Sequence, residues 1–118
     1  MLAHHLEMHC QRGIHLSLAV PSVWKLTSLG IAFERQEVGG QFGSDGWNIL
    51  AKVPGEGAPI LLSSHMDTVS PGVDIKPSVK DGVIYSDGST VLGADDKAGI
   101  AAALEAVETI MESGSRHR

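Results

Sequence analysis

Cysteine, aromatic residues and long apolar runs are all scarce in this 118-residue chain. Cys10 is the only cysteine, which excludes an intrachain disulfide and makes the reducing cytoplasm the expected location. Aromatic residues make up 4% of the chain, and no apolar segment approaches the roughly 20 residues of a membrane-spanning helix. Lysine and arginine form no cluster and the net charge is −5, so we expect neither nucleic-acid nor membrane binding.

The remaining composition is that of a globular protein. Hydrophobic residues make up 42% and charged residues 19% of the chain, which excludes a disordered polypeptide. The length allows one domain at most. Glycine occurs 14 times, which predicts many turns and places where two backbone segments approach closely.

Apolar spacing predicts two or three helices. In residues 1–25, which are atypical, Leu2, Leu6 and Cys10 lie at helical spacing before Gly13 interrupts the pattern. A helix is expected to open near Pro21 and to end at Gly30. A long helix is expected over residues 94–114, with an apolar stripe of Ile100, Leu104, Val107 and Met111.

Strands are predicted over residues 31–38, 47–55 and 60–65. The last of these has no alternation, as expected of a central strand that is covered on both faces. A hairpin is predicted over residues 83–93 around Asp87 and Gly88. Strands followed by a hairpin and a long helix indicate an α/β fold, in which a mixed sheet is flanked by helices.

Polar residues end the predicted central strand, in the stretch ILLSSHMDTVSPG. His65 and Asp67 are two residues apart and so point to the same side of a strand. The imidazole is a zinc ligand, and the carboxylate can hydrogen-bond its other ring nitrogen. Asp95 and Asp96, at a turn into the long helix, offer further carboxylates. Taken alone, the same residues suit a strand-end histidine satisfied by backbone and ordinary helix capping.

Two separated motifs favour the metal site over these simpler interpretations. SSHMDTVSPG and, after KDGVIYSDGSTVLG, the run ADDKAGIAAALEAV closely resemble the zinc-dependent exopeptidase family of peptidase T, carboxypeptidase G and the aminoacylases, and peptidase T above all. The resemblance extends from about Gly46 to the end of the chain. It implies part of the catalytic domain of a two-zinc aminopeptidase-like fold over residues 1–118.

The resemblance also implies roles for individual residues. His65 matches the histidine that binds one zinc ion, Asp67 matches the catalytic carboxylate that supports it, and Asp95 matches the aspartate that bridges two zinc ions. It further implies a cis peptide between Asp95 and Asp96. Cobalt or manganese suits the same nitrogen and oxygen ligands.

The departures from the family pattern are equally specific. The family's Glu-Glu pair, which supplies the general base and a further ligand, has no match here, and neither does its dimerisation domain. The chain is therefore expected to be an N-terminal fragment of a metallopeptidase or amidohydrolase that cleaves small peptides or acyl-amino acids with metal-activated water. The fragment alone is expected to be inactive and to self-associate through an open sheet edge. The alternative is a non-enzymatic α/β module that binds a metal or a partner.

Overall fold

The computed structural model describes residues 2–9, 19–37, 46–56 and 58–114, with residues 2–9, 19 and 20 described by their backbone. The elements in chain order are β1 (Leu2–His9), α1 (Ala19–Ser28), β2 (Phe33–Glu37), β3 (Trp47–Gly55), β4 (Leu61–His65), β5 (Ser78–Lys80), β6 (Val83–Tyr85) and α2 (Ala94–Ser113). Cys10 lies outside the described residues.

Four strands form a mixed sheet in the order β2-β3-β1-β4. β3 is antiparallel to both of its neighbours, whereas β1 and β4 run parallel, with His9 in register with His65. β5 and β6 form a separate two-stranded sheet. The structure therefore confirms the predicted α/β class with a mixed sheet and flanking helices.

One hydrophobic cluster joins both helices to the sheet. Ile49 and Ala51, two residues apart in β3 and hence on the same face, are fully buried. The cluster's other buried members are Leu26, Ile31, Met66, Ile100, Leu104 and Val107. A 2.6 Å ion pair between Lys25 Nζ and Glu108 Oε2 connects α1 to α2. The predicted apolar stripe of α2 is therefore correct except at Met111, which is 43% exposed.

Both predicted helix ends are also correct. Gly30 and Gly114 have φ values of 68° and 58°, in the left-handed region that glycine enters without a Cβ clash. α1 begins at Ala19, two residues before the Pro21 from which the sequence predicted it. Among the described residues, neither helix combines the length and the apolar character that crossing a membrane requires.

The helical interpretation of the first residues is wrong. Leu2–His9 is a strand, and all eight residues are paired with β3. Five of them also pair with β4 on the other side. Pairing on both edges satisfies the backbone donors and acceptors of residues 5–9, and this tertiary gain overrides a weak helical pattern.

The predicted hairpin is displaced towards the N-terminus. The turn between β5 and β6 is Asp81-Gly82, where φ is 52° and 77°. Two positive φ values define the tight turn that matches the twist of a hairpin. Asp87 instead forms a local turn, because its Oδ1 accepts a 2.9 Å hydrogen bond from the Ser89 amide.

β4 was predicted to be a central strand, and the structure corrects this. It lies at the end of the four-stranded order, so in the described part of the chain a strand pairs with only one of its edges. Leu61 and Leu62 are 56% and 37% exposed, and Ile60 just before them is 59% exposed. The apolar run does not alternate with polar residues because several of its apolar side chains are exposed, and not because both faces of the strand are covered.

An exposed apolar edge strand predicts self-association of the isolated chain, because its unpaired backbone groups form a template for another strand. Light scattering coupled to size exclusion is expected to show an apparent mass that rises with concentration. A Leu61→Lys variant should lower this rise, while Val79→Lys, an equally charged change at an exposed hairpin residue, should not. A monomer at every concentration would contradict the prediction.

Candidate metal centre

The candidate centre lies where β4 leaves the core. Met66 and Thr68 are buried, with exposed fractions of 3% and 8%. The residue before each of them, His65 and Asp67 respectively, is only half-buried. This alternation follows from the period of two in extended backbone. The core therefore anchors one side of the segment and leaves the imidazole and the carboxylate on the other.

Asp67 holds the His65 ring from one side. His65 Nδ1 lies 3.1 Å from the Asp67 backbone oxygen and 3.2 Å from its Oδ1. Both of these oxygens are acceptors, so a neutral ring that is hydrogen-bonded to Asp67 carries its proton on Nδ1. The lone pair of a neutral imidazole is then on Nε2, the atom that faces away from Asp67.

Asp95 approaches the other side of the ring. Its Oδ1 lies 3.4 Å from His65 Nε2, although the Asp95 side chain is 94% exposed. Burial lowers the pKa of His65, but the hydrogen bond to the Asp67 backbone and the charges of Asp67 and Asp95 outweigh it. The net effect raises the pKa of His65 above its ordinary value, as expected for an imidazole between two carboxylates.

The backbone at the start of α2 places Asp95 in this position. Gly93 has a φ of 70°, and neither Asp95 nor Asp96 has helical dihedral angles. The peptide bond between the two aspartates is cis, as the family resemblance predicted. Regular helix therefore begins after Asp96, and Asp95 projects from the turn that precedes it.

Asp96 belongs to the helix cap and not to the candidate metal pair. Its Oδ1 accepts a 3.2 Å hydrogen bond from the Gly99 amide, three residues on, in the geometry of an N-cap. Its Oδ2 accepts a 2.7 Å hydrogen bond from Ser64 Oγ. The simpler capping interpretation is thus correct for Asp96. Sequence reasoning missed Ser64, since nothing in the two serines before His65 indicates a partner 32 residues away.

Lys97 makes a second connection between α2 and the loop after β4. Its Nζ donates to Thr68 Oγ1. Burial lowers the pKa of Lys97, and the nearby charge of Asp67 partly opposes this shift. The segment that carries His65 and Asp67 is therefore connected to the first turn of α2 on both sides of the candidate ligands, by Ser64 and by Thr68.

These residues border an open cleft. Its lining consists of His65, Asp67, Thr68, Val69, Val91, Gly93, Ala94 and Asp95. All three residues that the sequence singled out, namely His65, Asp67 and Asp95, thus lie together at one site. A polar edge beside Val69 and Val91 suits a ligand with both apolar and charged parts.

The donor atoms suit a zinc ion at this site. Bonds of about 2.0 Å to nitrogen and about 2.1 Å to oxygen place two ligands of one tetrahedral ion roughly 3.4 Å apart. His65 Nε2 and Asp95 Oδ1 are separated by 3.4 Å. Among the side chains that the structure describes, however, no group of three or more histidine, cysteine, aspartate or glutamate residues converges on one point. The described residues thus present two ligand groups that fit an ion.

Comparisons with known proteins agree with the motifs. Residues 61–118 match the profile of Peptidase family M20/M25/M40. A 95-residue stretch, 79% of the chain, is 38% identical to "Uncharacterized protein YqjE" of Bacillus subtilis (strain 168). The crystal structure of aminopeptidase PepT from Bacillus cereus ATCC 10987 superposes with a TM-score of 0.79 and 37% identity over 92% of this chain.

The chain belongs to the M20/M25/M40 peptidase family through residues 61–118. Members of this family generally depend on metal ions. The chain spans 26% of the length of YqjE and 30% of that of PepT. It therefore corresponds to part of the fold of these relatives.

A Gly99→Ala substitution tests how α2 begins. A Cβ at this position would lie 2.2 Å from Asp96 Oδ1, so the capping carboxylate must move. We expect a loss of about 1–3 kcal/mol in the free energy of unfolding, from overpacking and the lost cap together.

Urea unfolding at low micromolar concentration measures this loss. Alanine normally stabilises a helix by about 1 kcal/mol relative to glycine, so the sign at Gly99 is opposite to the usual one. The matched control is Ala102→Gly at an exposed position of α2, which should cost about 1 kcal/mol. A Gly99→Ala chain as stable as the parent would contradict the described cap.

Proposed function

We infer that the chain carries part of the active site of a zinc-dependent aminopeptidase or related amidohydrolase, which cleaves an amide bond in a small peptide or acyl-amino acid. One observation carries the proposal. His65 Nε2 and Asp95 Oδ1 converge at 3.4 Å, while Asp67 occupies the other ring nitrogen. The match to the M20/M25/M40 profile and the aminopeptidase name of the PepT structure support the reaction class.

Each residue has one task in this proposal. Asp67 accepts the Nδ1 proton of His65 in a hydrogen bond, which fixes the tautomer and makes Nε2 a better donor to a metal. Asp95 would hold the same ion through its carboxylate, whose two oxygens would also allow it to hold a second ion. A bound zinc ion supplies Lewis acidity towards the amide carbonyl and lowers the pKa of water.

The cleft beside these residues accounts for substrate binding in part. Val69 and Val91 offer apolar surface next to Asp95, which suits an apolar side chain beside an amide bond. Val69 is 73% exposed, so this wall is open to solvent in the chain as described. Small peptides and acyl-amino acids both fit these features, and cobalt or manganese fits the same ligands.

The 118-residue chain alone is expected to be inactive. Zinc enzymes use about three protein ligands for an ion and keep an open position beside them. The described side chains supply two such groups at this point. A metal-binding or partner-binding module is therefore the second candidate function, favoured by the exposed edge of β4 and by the same pair of ligands.

Zinc binding is the first test. Isothermal titration calorimetry on the 118-residue chain is expected to give a site that weakens at least about 10-fold in His65→Ala and in Asp95→Asn, since each change removes one of two ligands. The matched control is Asp81→Asn, the same change at an exposed turn residue outside the cleft. Equal affinity in parent, His65→Ala and Asp95→Asn chains would reject the site.

Peptidase activity is the second test. With zinc added, the isolated chain is expected to release no amino acid from tripeptides above the rate of the His65→Ala variant, because two ligand groups leave an ion without a complete site. The PepT aminopeptidase assayed in parallel shows that the conditions permit turnover. Turnover by the chain that the His65→Ala substitution abolishes would contradict the expected inactivity and favour a complete site in the chain.

A further inference from the structure

We propose that Ser64, Asp96 and Gly99 form a clamp that positions Asp95 against His65. The clamp acts through the backbone, because Ser64 immediately precedes His65 and Asp96 immediately follows Asp95. A bond between Ser64 and Asp96 therefore sets the separation of the two candidate ligands. The inference rests on the proposed function, since it assigns these residues to the same metal site.

Both oxygens of the Asp96 carboxylate are occupied within the chain. Ser64 Oγ donates to Oδ2 at 2.7 Å, and the Gly99 amide donates to Oδ1 at 3.2 Å. Ser64 Oγ also lies 3.3 Å from the Asp96 backbone oxygen. Asp96 is thereby held at the end of β4 and at the first turn of α2 at once, so it connects the two elements that carry the ligands.

The exposure of Asp95 explains why such a connection is needed. Its side chain is 94% exposed, so packing does not fix its direction. The 3.4 Å separation between its Oδ1 and His65 Nε2 is too long for a strong hydrogen bond. The backbone next to Asp95 must therefore supply the placement, and Asp96 is where that backbone is held.

Burial makes the Ser64 hydroxyl effective in this role. Ser64 is 8% exposed, and a hydrogen bond from a shielded hydroxyl to a carboxylate is stronger than one in water. Gly99 completes the arrangement, because any Cβ would come within 2.2 Å of the Asp96 oxygen. The neighbouring Ser63 is exposed and provides a matched comparison on the same strand.

The experiment measures zinc affinity by calorimetry in four variants of the 118-residue chain, at a temperature where circular dichroism shows each to be folded. Ser64→Ala and Asp96→Ala remove one side of the clamp, and we expect affinity to fall about 10-fold or more, as for other residues that orient metal ligands. Ser63→Ala should stay within about twofold of the parent, because an exposed hydroxyl outside the clamp orients nothing.

Asp96→Asn separates positioning from charge. An asparagine at this position keeps an oxygen that accepts from the Gly99 amide, and its NH₂ group can donate a hydrogen bond to Ser64 Oγ. We therefore expect it to retain zinc affinity to within about threefold, as a positioning role requires. A fall in Asp96→Asn as large as in Asp96→Ala would overturn the clamp and make the charge of Asp96 the important feature.

Failure of the clamp and failure of the metal site give different results. Parental zinc affinity in a folded Ser64→Ala chain, beside a loss in His65→Ala, overturns the clamp alone. Equal affinity in parent and His65→Ala rejects the metal site, and amide hydrogen exchange over residues 94–100 then decides about the clamp. Faster exchange in Ser64→Ala than in Ser63→Ala supports the clamp, and equal exchange overturns it.

Discussion

The hydrogen bond from the buried Ser64 hydroxyl to the Asp96 carboxylate joins the end of β4 to the beginning of α2. Thirty-two residues separate the partners along the chain, and the hairpin of β5 and β6 lies between them in sequence. The hydrophobic cluster brings α2 against the sheet through Ile100, Leu104 and Met66, but apolar contacts do not specify a direction for a side chain. The directional bond between Ser64 and Asp96 adds that information at the point where His65 and Asp95 meet.

The chemistry of the site follows from the asymmetry between the two nitrogens of His65. Asp67 occupies Nδ1 through a backbone oxygen and a carboxylate, while only the exposed carboxylate of Asp95 approaches Nε2. A second carboxylate beside an exposed ring nitrogen adds little to folding, since pairs in contact with water contribute about 0–1 kcal/mol. The same pair of donor atoms supplies part of the ligand set that a divalent ion requires, and residues 61–118 match a peptidase family whose members generally depend on metal ions.

The sequence predicted those features that depend on local chemistry. The apolar spacing of α2, the glycine at its end and the strand over residues 47–55 were correct because each is encoded in consecutive residues. The family motifs alone predicted that His65, Asp67 and Asp95 belong to one site. The predictions of a helix at β1 and of a central position for β4 were wrong because strand order depends on pairing between distant segments. Ser64 was missed for the same reason, since its partner Asp96 is distant in the sequence. The Asp81-Gly82 turn was missed because the sequence also contains Asp87-Gly88, and either pair suits the turn of a hairpin.

The central claim is that His65 and Asp95 hold one metal ion between them. Anomalous diffraction above the zinc edge, from crystals of the 118-residue chain grown with one equivalent of zinc, tests it most directly. We expect an anomalous peak about 2.0–2.2 Å from both His65 Nε2 and Asp95 Oδ1. Zinc bound only at other histidines, with no peak between these two atoms, would show that His65 and Asp95 do not form a metal site.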